Sequence, residues 1–189
     1  MEIEFSVEVK DPSKKILNRF AKPSDSILKN LVLLNYGMMC EPDVYAIDTG
    51  GTSRQIINSE EYSQGTHGHL RRAILYWYPG EESTRGIRVG EDDTPVTKED
   101  YQLNWIDVIS VLKGLRGSFE VVVGANEVVW TCKRNFSNLT SSDVLVKEIG
   151  IVVRYIDYDF LIVRDVIPTQ TVPADGGGLT IQYTITFPY

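Results

Sequence analysis

The segment Leu179-Thr180-Ile181-Gln182-Tyr183-Thr184-Ile185-Thr186-Phe187 alternates apolar and polar residues without a break. Successive side chains on a strand point to opposite faces. Leu179, Ile181, Tyr183, Ile185 and Phe187 therefore share one face, which predicts a strand lining a core. Pro173-Ala174-Asp175-Gly176-Gly177-Gly178 before it is a turn signal, because glycine reaches positive φ at no steric cost. Residues 119–123, 128–136, 143–155 and 160–167 read as further strands. Gly124-Ala125-Asn126-Glu127 is expected to join the first two as a hairpin, and Asp157-Tyr158-Asp159 the next two. Pro168 and Pro173 are expected between strands, where a missing backbone donor is tolerated. Short strands separated by turns predict a mainly β chain folded as an antiparallel β-sandwich.

The beginning of the chain repeats the pattern. Ile3, Phe5, Val7 and Val9 face one way; Glu2, Glu4, Ser6, Glu8 and Lys10 face the other. A charged outer face of this kind suits an edge or surface strand. One N-terminal helix is expected near residues 25–36, packed at the edge of the sandwich. Ser24 or Asp25 would cap it, Gly37 would close it, and Ile27, Leu28, Leu31 and Leu34 would form its apolar stripe. Short strands are plausible at residues 54–58 and 73–78. Residues 80–98, rich in Gly, Glu, Asp, Thr and Pro, predict an exposed loop excursion around a short strand at 87–89. With so little apolar surface to bury, it is expected to be mobile in the free protein and ordered where a neighbouring subunit covers it. Its acidity suggests a partner surface carrying Lys or Arg. The 189 residues are long enough for a single domain with one core.

Composition removes several function classes. A net charge of −7 disfavours direct contact with nucleic acid, which needs clustered Lys and Arg. No apolar run approaches the ~20 residues that span a bilayer, so no membrane partner is expected. Met1-Glu2-Ile3-Glu4 is acidic and alternating, unlike a signal peptide, which predicts synthesis and folding in a cytoplasm. Cys40 and Cys132 are accordingly expected as reduced thiols.

Residues with chemical potential carry bland alternatives. His67 and His69, with Glu60 and Glu61 nearby, have the donor types of a transition-metal site but read better as a polar loop. Glu91-Asp92-Asp93 and Glu99-Asp100 supply oxygen ligands without the spacing of a calcium loop. Gly50-Gly51-Thr52-Ser53 lacks the lysine and spacer of a phosphate-binding loop and reads as a turn. Glu148, Arg154, Arg164 and Asp165 stand on neighbouring strands, where paired charges fix register more often than they catalyse. No catalytic, cofactor-binding or metal residue is therefore assigned, and no enzyme activity or cofactor is expected.

The succession Ile87-Arg88-Val89-Gly90, Thr94-Pro95, Asp100-Tyr101-Gln102-Leu103, Asn135-Phe136-Ser137-Asn138, Lys147-Glu148-Ile149-Gly150, Leu161-Ile162-Val163-Arg164-Asp165-Val166, Val172-Pro173-Ala174 and Leu179-Thr180-Ile181-Gln182-Tyr183-Thr184-Ile185 resembles small β-sandwich virion structural proteins of tailed bacteriophages. The likeness covers about residues 86–187 well, the start of the chain loosely and residues 40–80 hardly at all. It implies a non-enzymatic virion component of the tail, neck or baseplate, made in the host cytoplasm and partnered by other virion proteins and by copies of itself. The first or last strand is then expected to pair with a neighbouring chain. The alternative is a receptor- or carbohydrate-binding module on a tail tip, with Tyr76, Trp77, Tyr78, Tyr101 and Trp105 as stacking faces and a host receptor as partner.

Overall fold

The computed structural model describes residues 1–24, 26–39, 44–56, 85–107, 109–115, 117–155 and 158–189. It is mainly β and antiparallel throughout. The elements run β1 (Glu2–Lys10), β2 (Ile16–Pro23), α1 (Lys29–Met39), β3 (Val44–Ile47), β4 (Ser53–Ile56), β5 (Gly86–Gly90), β6 (Leu112–Gly114), β7 (Ser118–Val123), β8 (Glu127–Asn138), β9 (Val144–Tyr155), β10 (Tyr158–Val172) and β11 (Gly178–Pro188).

A six-stranded sheet has the order β2-β1-β11-β8-β6, with β7 also paired to β8. Its alternation is the one read from the sequence. Ile3, Phe5, Val7 and Val9 stand beside Ile185, Tyr183, Ile181 and Leu179 on one buried face. A three-stranded sheet, β10-β9-β5, brings Ile87, Val89, Ile149, Ile151, Phe160 and Val163 into the same apolar cluster. A buried side-chain hydrogen bond joins the two sheets there: the Tyr183 hydroxyl of β11 donates to Asp165 of β10 at 2.8 Å. The hairpin β3–β4 forms a separate pair beside α1, and Asn30 ties the helix to Ile47 and Leu161 through backbone carbonyls.

Several expectations change. The helix is not N-terminal: it begins at Lys29, after two strands, and runs past Gly37 to Met39. Ser24 does not cap it, because its hydroxyl donates to Asp165 instead. Residues 26–28 are drawn onto the edge of β10, where Ile27 bridges Val163 and Leu28 donates to Ile162. The first helical amide, that of Lys29, donates to the carbonyl of Lys98. Asp25 lies outside the described residues. Pro168 is not between strands but within β10, at the register shift between Val166 and Gln170 where its missing donor costs no ladder bond.

Neither terminal strand is an edge. β1 is flanked by β2 and β11, and β11 by β1 and β8, so neither can offer a free ladder to a neighbour. The turn before β11 was read correctly, with a sharper reason. Asp175 and Gly176 take φ of 53° and 99°, and a Cβ on Gly177 would sit 2.1 Å from the carbonyl oxygen of Pro173.

Candidate functional site: a charged latch on the three-stranded sheet

Arg164 and Glu148 point away from the apolar cluster, onto the outer face of the three-stranded sheet. They are diagonal neighbours, because Arg164 lies opposite Gly150 and Val166 opposite Glu148. Glycines make room for Glu148 and for the close packing of this face. A Cβ on Gly90, which pairs with Glu148, would lie 2.2 Å from the Glu148 Oε1, and one on Gly150 would lie 2.6 Å from the Val163 carbonyl.

Residues 91–107 leave β5 and cross this face as a strap. Leu103 packs with Leu28, Val152 and Leu161 in a small second apolar cluster, flanked by Val96 and Trp105. The strap closes on its own strand: Glu91 donates to Asn104, Ile106 donates to Val89, and Trp105 bridges Gly90. The edge of β5 is completed from the other sheet, where buried Arg134 of β8 donates to the carbonyls of Arg85 and Ile87 at 3.1 and 2.9 Å.

The charges fasten the strap. Glu148 is wholly buried; it accepts from Arg164 Nε at 2.7 Å and from the Asn104 amide at 2.7 Å. Arg164 directs its remaining nitrogens outward, Nη1 to Asp100 at 2.7 Å and Nη2 to Asp92 at 3.2 Å and Thr94 at 3.3 Å. One guanidinium thus gathers three carboxylates, one from β9 and two from the strap, with the planar fork geometry that lysine could not supply. Hydrogen bonds from Thr94, with the Arg164 charge, hold the Asp92 carboxyl below its ordinary value. Burial raises Asp100, but hydrogen bonds from Thr97 and Arg164 outweigh it and bring that carboxyl below the ordinary value too. Lys147 adds an exposed bond to Asp93 at 2.9 Å.

This arrangement corrects the reading of residues 80–98. Residues 80–84 lie outside the described residues, Gly86–Gly90 is a fully buried strand, and 91–98 are largely exposed in their side chains. The acidic side chains Asp92 and Asp100 are held by this chain's own Arg164. Among the described residues, no three His, Cys, Asp or Glu side chains are grouped to hold a metal ion.

Of the four charges singled out on the strands, Glu148 and Arg164 meet, and Asp165 and Arg154 do not join them. Asp165 faces the other side, where Ser24 and Tyr183 donate to it; Arg154 stands opposite Asp159. The strap partners Asp92, Asp100 and Asn104 were not foreseen. The available signal was the pair of strand glycines, Gly90 and Gly150, which mark a close approach.

The Gly50-Gly51 segment is the turn expected. Asp48 accepts from the amides of Gly50 and Thr52 and pairs with Arg54 at 2.7 Å. Tyr101 packs its ring 3.3 Å from where a Gly51 Cβ would be, and Trp105 lies against the Arg88 guanidinium at 4.4 Å. His67, His69, Glu60, Glu61, Tyr76, Trp77, Tyr78 and Cys40 lie outside the described residues. Cys132 is a buried free thiol, pushed up to about 12 by burial. Among the described residues, no helix is long and apolar enough to cross a membrane.

What the latch does chemically is hold, since its buried ionic groups are each taken up by another group of the chain. Set against family models, curated proteins and solved structures, the chain matches none of them.

Proposed function

We propose that this chain is a non-enzymatic structural component of a tailed-bacteriophage virion, present in several copies in the tail, neck or baseplate. In this reading the six- and three-stranded sheets pack as a β-sandwich, and subunits meet through strand edges and loops. The order of segments carrying the resemblance supports it, since they fall on β5, the strap, β8, β9, β10, the glycine turn and β11.

The observation that carries the reading is how the molecule uses its polar groups. The buried charges fasten one segment of the chain to another, and both edges of the three-stranded sheet are covered by the chain's own residues. The six-stranded sheet, by contrast, ends in β2 on one side and in β6 and β7 on the other, and none of the three has an outer strand partner among the described residues. Surfaces of that kind suit assembly.

The test is the protein content of purified particles. Quantitative mass spectrometry should find this chain at a fixed copy number above one per particle; its absence from purified particles would overturn the proposal. Binding of the isolated protein to host cells or to glycans would instead favour a tail-tip receptor module.

A further inference from the structure

β2 and β7, the two longer strands at the outside of the six-stranded sheet, are built differently. β2 carries Arg19 and Lys22 on opposite faces, ends in Pro23 and is paired through a register irregularity at Val9 and Lys10. These are the devices by which an edge strand resists pairing. β7, Ser-Phe-Glu-Val-Val-Val, has no proline, no irregularity in its pairing with β8 and one charge, Glu120. Val121, Val122 and Val123 are 45%, 51% and 70% exposed, although valine favours strands that are covered.

We propose that the β7 edge pairs antiparallel with β7 of a second copy of this chain, joining two six-stranded sheets into one across a two-fold axis. The inference places an interface within the assembly reading above. An edge strand presents unpaired backbone donors and acceptors, so its occupant is another strand. Register selects a copy of itself. Phe119, Val121 and Val123 share the face of Cys132, Trp130 and Tyr183, which is the apolar face of the sheet; Glu120 and Val122 share the other.

Antiparallel pairing centred on Val121 sets Val121 opposite Val121, Phe119 opposite Val123 and Glu120 opposite Val122. Residues directly opposite point to the same side, so the apolar faces of the two copies become continuous. The two Glu120 side chains are never opposed, although each chain carries a net charge of −7. A shift of one residue would turn one copy's apolar face to the wrong side, and centring on Glu120 would oppose like charges. A two-fold interface of this type is self-complementary, as closed homo-oligomers require.

The test uses the full-length chain in solution. Sedimentation equilibrium should give a mass twice 21.3 kDa, dissociating on dilution. Val121→Lys and Val123→Lys, at exposed positions, should weaken association roughly tenfold or more while leaving the melting temperature of the monomer near that of wild type. Val121→Cys should cross-link to itself under mild oxidation, since paired strands bring opposite Cα atoms within disulfide reach; Glu120→Cys and the wild type should not. A chain that stays monomeric at all concentrations overturns the proposal. So does a dimer that survives both valine changes and is lost on Arg19→Glu, which would move the interface to β2. Absence from virions would remove the structural-protein reading yet leave the dimer measurable, so the two fail separately.

Discussion

The two sheets keep opposite kinds of surface. The three-stranded sheet is closed on both faces: apolar residues fill one, and the strap with its ionic latch covers the other. Among the described residues the six-stranded sheet is closed on one face only. Its outer side carries Glu2, Glu4, Ser6, Glu8, Thr184, Gln182 and Thr180, left to water. A strand buried on one side can follow simple alternation. One buried on both sides must be apolar throughout or must satisfy any charge it buries. The chain takes the second course at Glu148 and Arg164.

That contrast breaks most sharply at Arg164. Arg164→Met would leave Glu148 buried without its partner, and we expect a loss of about 3–5 kcal/mol in denaturant unfolding. Adding Glu148→Gln to the same chain should recover part of it, because the uncompensated charge is gone. A loss no larger than that of an exposed substitution would mean that the strap, not the ion pair, holds this face.

The next effect lies on the core side. Tyr183→Phe removes one of the hydrogen bonds between the two sheets and takes a donor from buried Asp165, for an expected loss of about 1–3 kcal/mol. Burial and the Asp165 charge hold the Tyr183 phenol well above its ordinary value of 10.0. A raised phenol contributes stability below the unfolded value and loses it as pH rises beyond it. Wild type should therefore weaken above pH 10, and Tyr183→Phe should flatten that decline.

At the acid end, Asp92 and Asp100 are both lowered from 3.8. Their contribution is present above the unfolded value and lost as pH falls through the lower folded ones. Unfolding midpoints should accordingly drop from about pH 4 downward, and less steeply in Arg164→Met. Protection of strap amides in hydrogen exchange should fall over the same range, before that of β1 and β11.

The smallest effect belongs to the exposed pair. Lys147→Met severs a bond to Asp93 at the rim of the latch, and little or no change in the unfolding midpoint is expected because both groups are screened by water. A large loss there would show that the rim, rather than the buried fork, anchors the strap.

The residues themselves determined the strands whose pattern is local. β1, β7, β8, β9 and β11 were legible because alternation or β-branched content marks each by itself, and the glycine turn because only a few residues fit it. β2 was not legible: Ile-Leu-Asn-Arg-Phe-Ala-Lys-Pro has no period, and it becomes a strand by pairing with β1. Leu112–Gly114 is a strand for the same reason, lying against the end of β8. β10 was cut short at Pro168 because the bulge that tolerates a proline depends on the partner strand.

The latch divides along the same line. Glu148 and Arg164 were visible as charges on adjacent strands, since strand neighbours follow from chain order. Asp92, Asp100 and Asn104 come from a loop, and loops carry no periodicity to say where they fold back. Tertiary structure alone also decided that both terminal strands lie inside their sheet. An edge is a relation between strands, fixed by which backbone groups find partners, and composition cannot express it.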